Sequence, residues 1–425
     1  MQLFYKFFGL QLNCAKSELF SSGVSKDQLM EIQQHTGFKF GTLPVRYLGV
    51  PLITRRLSEK DCIPLVERIT TRIKHWAVKF LSYAGRFQLI QTVLYSIQQY
   101  WCRHFLLPQS VIKRITQLCT QFFWKGRCES TKGAKVSWKN ISYPKAEGGL
   151  GFKDILSWNR ASIIQNIWAI FTKAGTLWIA WIEAYMLKER SIWSISAAQN
   201  SSWSWRKMLQ LRPLARKFVK LENGVEKWKF PGKKYSVADV WEELRPKQDK
   251  VPWHKFLWGS MAIPKHAFIS WMAILNRLPT KDRLISWGME VNGDCCLCQG
   301  VMESRDHMFF ECNYSKELWK SILHCCGLNR EVGNWNAELN WAMQKIKGKA
   351  LISLILGIAW KAFVYQIWKE RKRRMQGHAP ETGLQVLESI KEVVGIKLAG
   401  IKHVADDSVN RRLYSKRGLS KDMFS

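Results

Sequence analysis

Acidic side chains are scarce: 33 Asp and Glu stand against 66 Lys and Arg in 425 residues, a net charge of +33 at neutral pH. A compact chain so short of counter-charge repels itself, which excludes a self-neutralised surface and calls for a polyanionic partner. Long apolar runs are missing too. The longest, Leu351 to Trp360, has Ser353 inside it and stops at Lys361, well short of the roughly 20 residues of a membrane span, so no membrane role is expected. At the N-terminus the apolar stretch is broken by Lys6 and no small-x-small cleavage site is present after it, which reads as a poor signal peptide. The glycine-rich Glu147-Gly-Gly-Leu-Gly151 is not followed by Gly-Lys-Ser/Thr. It is therefore no phosphate loop, and Lys132 to Phe152 reads as a strand ending in a tight turn. No internal repeat is present. What remains is an intracellular chain, nuclear or cytosolic, whose 47% hydrophobic content is enough for real cores.

The charge is unevenly spread. Residues 1–153 carry 23 basic and 8 acidic side chains, a net of +15, whereas residues 251–330 carry 9 and 7, a net of +2. Residues 1–58 alternate short apolar runs with Gly, Ser, Thr and Pro and read as short strands or irregular structure, with Asp27 in a loop. From Ser58 the pattern becomes helical: Ile63, Val66, Ile69, Ile73 and Trp76 recur at three- and four-residue spacing. Glu59 and Asp61 at the start of that helix suit its dipole. Further helices are expected over about Gly85–His104, after Pro108, and from Trp158 to about Trp193. Lys220 to Lys234 is polar, with Gly and Pro, and reads as a linker. Beyond it, helices are expected at Ser236–Leu244, Trp253–Met261 and Ala267–Asn276. The fold class is mainly α.

Eleven cysteines are present, an odd number, and six lie between Cys295 and Cys326. In a reducing compartment such a cluster reads as metal ligands before disulfides. Cys295, Cys298, His307 and Cys312 form C-x2-C-x8-H-x4-C. Two cysteines three apart can wrap one ion from a tight turn, and a His and a Cys five apart can complete a tetrahedron from the next element. Four protein ligands leave no open position, so the site is expected to be structural, and thiolates with an imidazole favour Zn2+ over hard cations. Cys296 is the rival to Cys295, but only one residue separates it from Cys298. Cys325 and Cys326 read as core residues of a following helix.

Together with Trp253, Ile263-Pro264-Lys265-His266-Ala267-Phe268, Trp271, Arg277-Leu278, Thr280, Arg283-Leu284 and Trp287-Gly288, that motif resembles the zinc-binding domain of reverse transcriptases. This domain lies near the C-terminus of LINE-type (non-LTR) retrotransposon polyproteins, especially plant ones. Gly9-Leu-Gln-Leu-Asn13 with Lys16-Ser17 is similar to polymerase motif D, and Arg46-Tyr-Leu-Gly-Val-Pro-Leu52 to motif E, the primer grip. Leu81-Ser-Tyr-Ala-Gly-Arg86 is similar to part of the thumb, and Pro144–Gly151 to the segment after the thumb. The resemblance implies a palm end at 1–58, a thumb-like helical bundle at 59–153, a helical connector and linker at 154–234, the zinc-binding domain at 235–325, and a basic helical tail at 326–425. It also implies contact with RNA or a primer–template duplex near Lys16, Arg46 and Tyr47, while Arg55, Arg56, Arg68, Arg72, Lys74, Lys79, Arg86, Lys113 and Arg114, spread over helical faces, read as phosphate contacts. Phosphate pairing of this kind is tolerant of sequence.

The sequence departs from the family in three places. The aspartates that hold the two metals of a polymerase would lie upstream of Met1. Val404-Ala-Asp-Asp407 imitates their box at the wrong end, without an aromatic and without a strand-turn-strand pattern. The family's Phe-Trp-x-Asp-x-Trp-like stretch is absent across Lys220–Tyr235. These departures imply a retroelement-derived fragment, read here as a non-catalytic nucleic-acid-binding protein; the alternatives are a reverse transcriptase fragment active only with a palm supplied in trans and an inert fragment without selected function. Lys369-Glu-Arg-Lys-Arg-Arg374 reads equally as a nuclear-import signal or as the solvated basic end of a helix.

Overall fold

A computed structural model describes residues 6, 7, 9, 13 and 16–399, apart from 22, 78–80, 127–132, 199–200, 231–234 and 349. Lys79 and the Val404–Asp407 box lie outside the described residues. Helix dominates, and the strands among the described residues form three two-stranded pairs. The chain divides into two compact units, one drawn from residues up to 75, 91–119 and 154–246, the other from 76–90, 120–153 and 247 onward. The thumb-like segment 59–153 is thus shared between them.

The first unit is organised around the helix Ile155–Phe171. Asp154 caps it by accepting from the Ser157 amide, and Ala161, Ile163, Ile164, Ile167 and Ile170 all face the core. Buried Asn159 ties the helix Tyr95–His104 to it, donating through Nδ2 to the carbonyls of Cys102 (3.0 Å) and Phe105 (2.7 Å) and accepting from the Leu107 amide (2.8 Å). Every polar atom of that amide is therefore satisfied inside the core. The helix Val237–Leu244 packs on the same core through Val240.

Four local readings are corrected. The described part of the expected linker, residues 220–230, is not free: Val219–Glu222 and Val225–Trp228 pair antiparallel, and Trp228 is buried against Phe218. Asn223 and Gly224 both take positive φ, 52° and 74°, the backbone a two-residue hairpin turn demands. Asp27 lies not in a loop but in the first turn of the helix Lys26–Thr36, which Ser25 and Gln28 start with a reciprocal capping box. Among the described residues 133–152 there is no strand; the helix Trp138–Ser142 and a 3-10 turn at Lys145–Glu147 occupy the segment. The glycine turn stands: a Cβ on Gly149 would lie 2.0 Å from the Tyr143 carbonyl oxygen, so no larger residue fits. Asp61, finally, does more than complement a dipole. It is buried and accepts from Arg55 Nη1 and Nη2 (2.8 and 2.9 Å), from the Ser58 amide (2.8 Å) and from Ser58 Oγ (2.7 Å). Burial alone would raise its pKa, but these hydrogen bonds outweigh that and hold it at about 2.

In the second unit the central element is the helix Leu351–Met375. By length and composition it could cross a membrane, yet 83% of its apolar window is buried inside the unit, the mark of a core helix. Its charged end is only partly solvated: Glu370 and Arg371 are 1% and 5% exposed, whereas Lys369 and Lys372 are exposed. Half of the run Lys369–Arg374 is therefore engaged in the fold.

Candidate metal centre

Cys295 and Cys298 sit on a short closed loop. The Cys295 amide donates to the Val301 carbonyl (2.7 Å), the Gln299 amide returns to the Cys295 carbonyl (2.7 Å), and Asp294 bridges Met302. Gln299 takes a positive φ of 60° to turn the corner. The other two candidates come from a wide helical turn, His307–Glu311, closed by the Cys312 amide on the His307 carbonyl at 2.7 Å. In an α-helix five residues are about 500° of rotation, so the second side chain would point away from the first. The i→i+5 turn brings it back, which is why a His-x4-Cys spacing works here.

The ligand atoms of Cys295, Cys298, His307 and Cys312 lie within 4.8 Å of one another, and among the described residues this is the one such group of three or more able to hold an ion. Cys298 Sγ is 3.2 Å from His307 Nε2. The hydrogen bond shared by Cys295 and Cys312 holds the Cys295 thiol far below the usual range and pushes the Cys312 thiol up. Two sulfurs this close cannot both be charged without a cation between them. The set is soft, closed and mostly buried, and it fits a structural zinc ion. Cys296 points elsewhere, 3.8 Å from a Glu303 carboxylate oxygen and 3.7 Å from the Arg371 carbonyl. Burial, then the Glu303 charge, raise it to about 11. Cys325 and Cys326 end the helix Asn313–Cys325 and lie outside the group.

Sequence reading missed what carries the loop. Glu303, fully buried, accepts from Arg371 Nε (3.1 Å) and Nη2 (2.8 Å) and from the Lys281 amide (3.0 Å). Arg374 donates to the carbonyls of Cys296 (3.3 Å) and Leu297 (3.0 Å), and Lys281 Nζ to that of Asp294 (2.6 Å). Two arginines of the core helix thus grip the backbone and the acidic partner of the cysteine loop. No local signal marks them, because Arg371 and Glu303 are 68 residues apart.

Among the expected nucleic-acid contacts, Lys16, Arg46, Tyr47, Arg55, Arg56, Arg72 and Lys74 are exposed. Arg46 and Tyr47 lie on an antiparallel pair, Val45–Tyr47 with Val50–Leu52. Arg55 keeps an exposed guanidinium while paired with Asp61. Arg86 differs. It donates to the Leu81 carbonyl (3.1 Å) and the Phe123 carbonyl (3.0 Å), lies over the Tyr83 ring, and is partly buried, which lowers its pKa. It is a packing residue, so Arg86→Ala is expected to cost about 1–3 kcal/mol of stability through two orphaned carbonyls. Thermal melts beside binding curves check this; a tenfold affinity loss without a melting shift would return Arg86 to the binding surface.

Residues 235–319 match the family described as zinc-binding in reverse transcriptase. Over 129 residues the chain is 35% identical to an Arabidopsis thaliana protein named "Putative ribonuclease H protein", a stretch that covers 30% of this chain and 21% of that one. An Arabidopsis thaliana "Uncharacterized mitochondrial protein" is 26% identical over 111 residues, 26% of this chain and 72% of the relative. The chain spans about a fifth of the first relative's length. With a closed three-cysteine, one-histidine set inside the matched segment, residues 235–319 are a reverse transcriptase zinc-binding domain.

Proposed function

We propose that this retrotransposon-derived chain is a non-catalytic nucleic-acid-binding protein whose zinc ion, held by Cys295, Cys298, His307 and Cys312, is structural. The ion would cross-link the loop 294–302 to the turn at His307–Glu311 and leave no position for a reacting water. One observation carries the binding reading. Lys16, Arg46, Arg56, Arg68, Arg72 and Lys74 are exposed cations with no carboxylate partner among the described residues, in the third of the sequence with a net charge of +15. Such groups exchange counterions with phosphates and set affinity without reading bases. RNA or a primer–template duplex is the proposed partner, in nucleus or cytoplasm.

Binding to labelled RNA and duplex is measured across salt concentrations, with the same protein incubated with primer, template and magnesium or manganese. Affinity is expected to fall by orders of magnitude from about 50 to 200 mM salt, and Arg68→Ala/Arg72→Ala/Lys74→Ala to flatten the salt slope by about 2–3 units. No primer extension is expected. Salt-independent binding would remove the electrostatic surface, and extension would favour a polymerase reading.

A further inference from the structure

We propose that the first compact unit holds a stacking cleft for unpaired bases, a binding site that rests on the nucleic-acid reading above and deepens it. Most of the 22 tryptophans are core residues, Trp205 and Trp228 among them, but Trp178 and Trp181 are 44% and 50% exposed. They border a cavity of about 780 Å3 with half-buried Trp203, within the size range of small-molecule sites. Arg103 and Lys207 line the same cavity and no carboxylate does.

The aromatic wall is rigidly mounted. Ile179, Ile182 and Leu187 anchor the segment Leu177–Leu187 in the core. Its second half is a π-helical stretch, Ile182–Leu187, and the Tyr185 ring lies on Trp181, centroids 5.6 Å apart and planes 29° apart. Exposed aromatics held in this way are a cost to solubility that a ligand can offset. Charge complementarity selects the ligand: cations and indoles with no acid suit a strand that carries phosphates and π-faces together. A duplex hides those faces, so the occupant is a single strand.

The full chain is titrated by fluorescence anisotropy with three strands of equal charge, about 12 nucleotides long: oligo(U), oligo(dT) and an abasic strand. Trp178→Ala/Trp181→Ala is expected to weaken binding of base-bearing strands about tenfold or more, while the abasic strand changes less than twofold. Trp178→Phe/Trp181→Phe should recover most of the loss, and Leu177→Ala, at an 89% exposed position of the same helix, should change nothing. Loss confined to the uridine or the thymidine arm assigns RNA or DNA. Equal loss on the abasic strand, or none on any strand, overturns the cleft. If the unaltered chain binds no strand at all, the nucleic-acid reading falls first and the cleft with it.

Discussion

Replacing His307 by alanine, or stripping the metal with a chelator, is expected to unfold the cysteine loop and the turn after it while the first unit stays folded. The loop 294–302 buries only Cys295 and Leu297 of its own side chains, and the ligand atoms of buried Cys295 and Cys312 lie within 4.8 Å of each other. Without an ion that arrangement is held by Glu303, Arg374, Lys281 and the loop's own backbone hydrogen bonds. Structural zinc supplies on the order of 10–16 kcal/mol in small zinc domains, as much as the whole stability of a typical domain. Hydrogen exchange reads the result. Amides of 294–312 should lose protection in the variant, whereas those of Ile155–Phe171, in a separate core, should keep theirs. Uniform loss over both units, or none, would contradict a locally acting metal.

Glu303→Ala should be the most damaging single change outside the ligands. It strands the Arg371 guanidinium at a site where that residue is 5% exposed, and it orphans the Lys281 amide. Breaking a buried pair from one side costs about 3–5 kcal/mol, which lowers Tm by about 10 °C for a unit of this size. The double change Glu303→Met/Arg371→Met should recover much of that loss, because it removes the buried charge with its partner. A Glu303→Ala protein that melts with the parent would mean the pair does not hold the loop.

Much of this was legible in the sequence, for identifiable reasons. Ligand spacing is local, so C-x2-C-x8-H-x4-C identified four side chains that do converge. Helical periodicity is also local, and the helices at Val237–Leu244 and Pro264–Ile274 lie close to the expected spans. Other signals were local and were outweighed. Asn223-Gly224 marks a hairpin turn, but the lysines and glutamates around it look like a solvated linker, because only one of the eight strand side chains, Trp228, is buried. Ser25 and Gln28 announce a helix start, yet the helix has no buried residue and so no apolar stripe to read. What could not be read is non-local. The basic run Lys369–Arg374 looks like a surface signal until Glu303 and the Cys296 and Leu297 carbonyls, 68 to 78 residues away in sequence, are brought against it. Arg86 misleads similarly: its partner carbonyl on Phe123 is 37 residues distant.

Three thiolates and one imidazole of this chain are proposed to hold one zinc ion, and elemental analysis of natively purified protein, with X-ray absorption at the zinc edge, tests this directly. About one zinc per chain is expected, with three sulfur neighbours at about 2.3 Å and one nitrogen at about 2.0 Å, and loss of the nitrogen alone in His307→Ala where metal is retained. No zinc, or four sulfurs with Cys296 in place of His307, would contradict it.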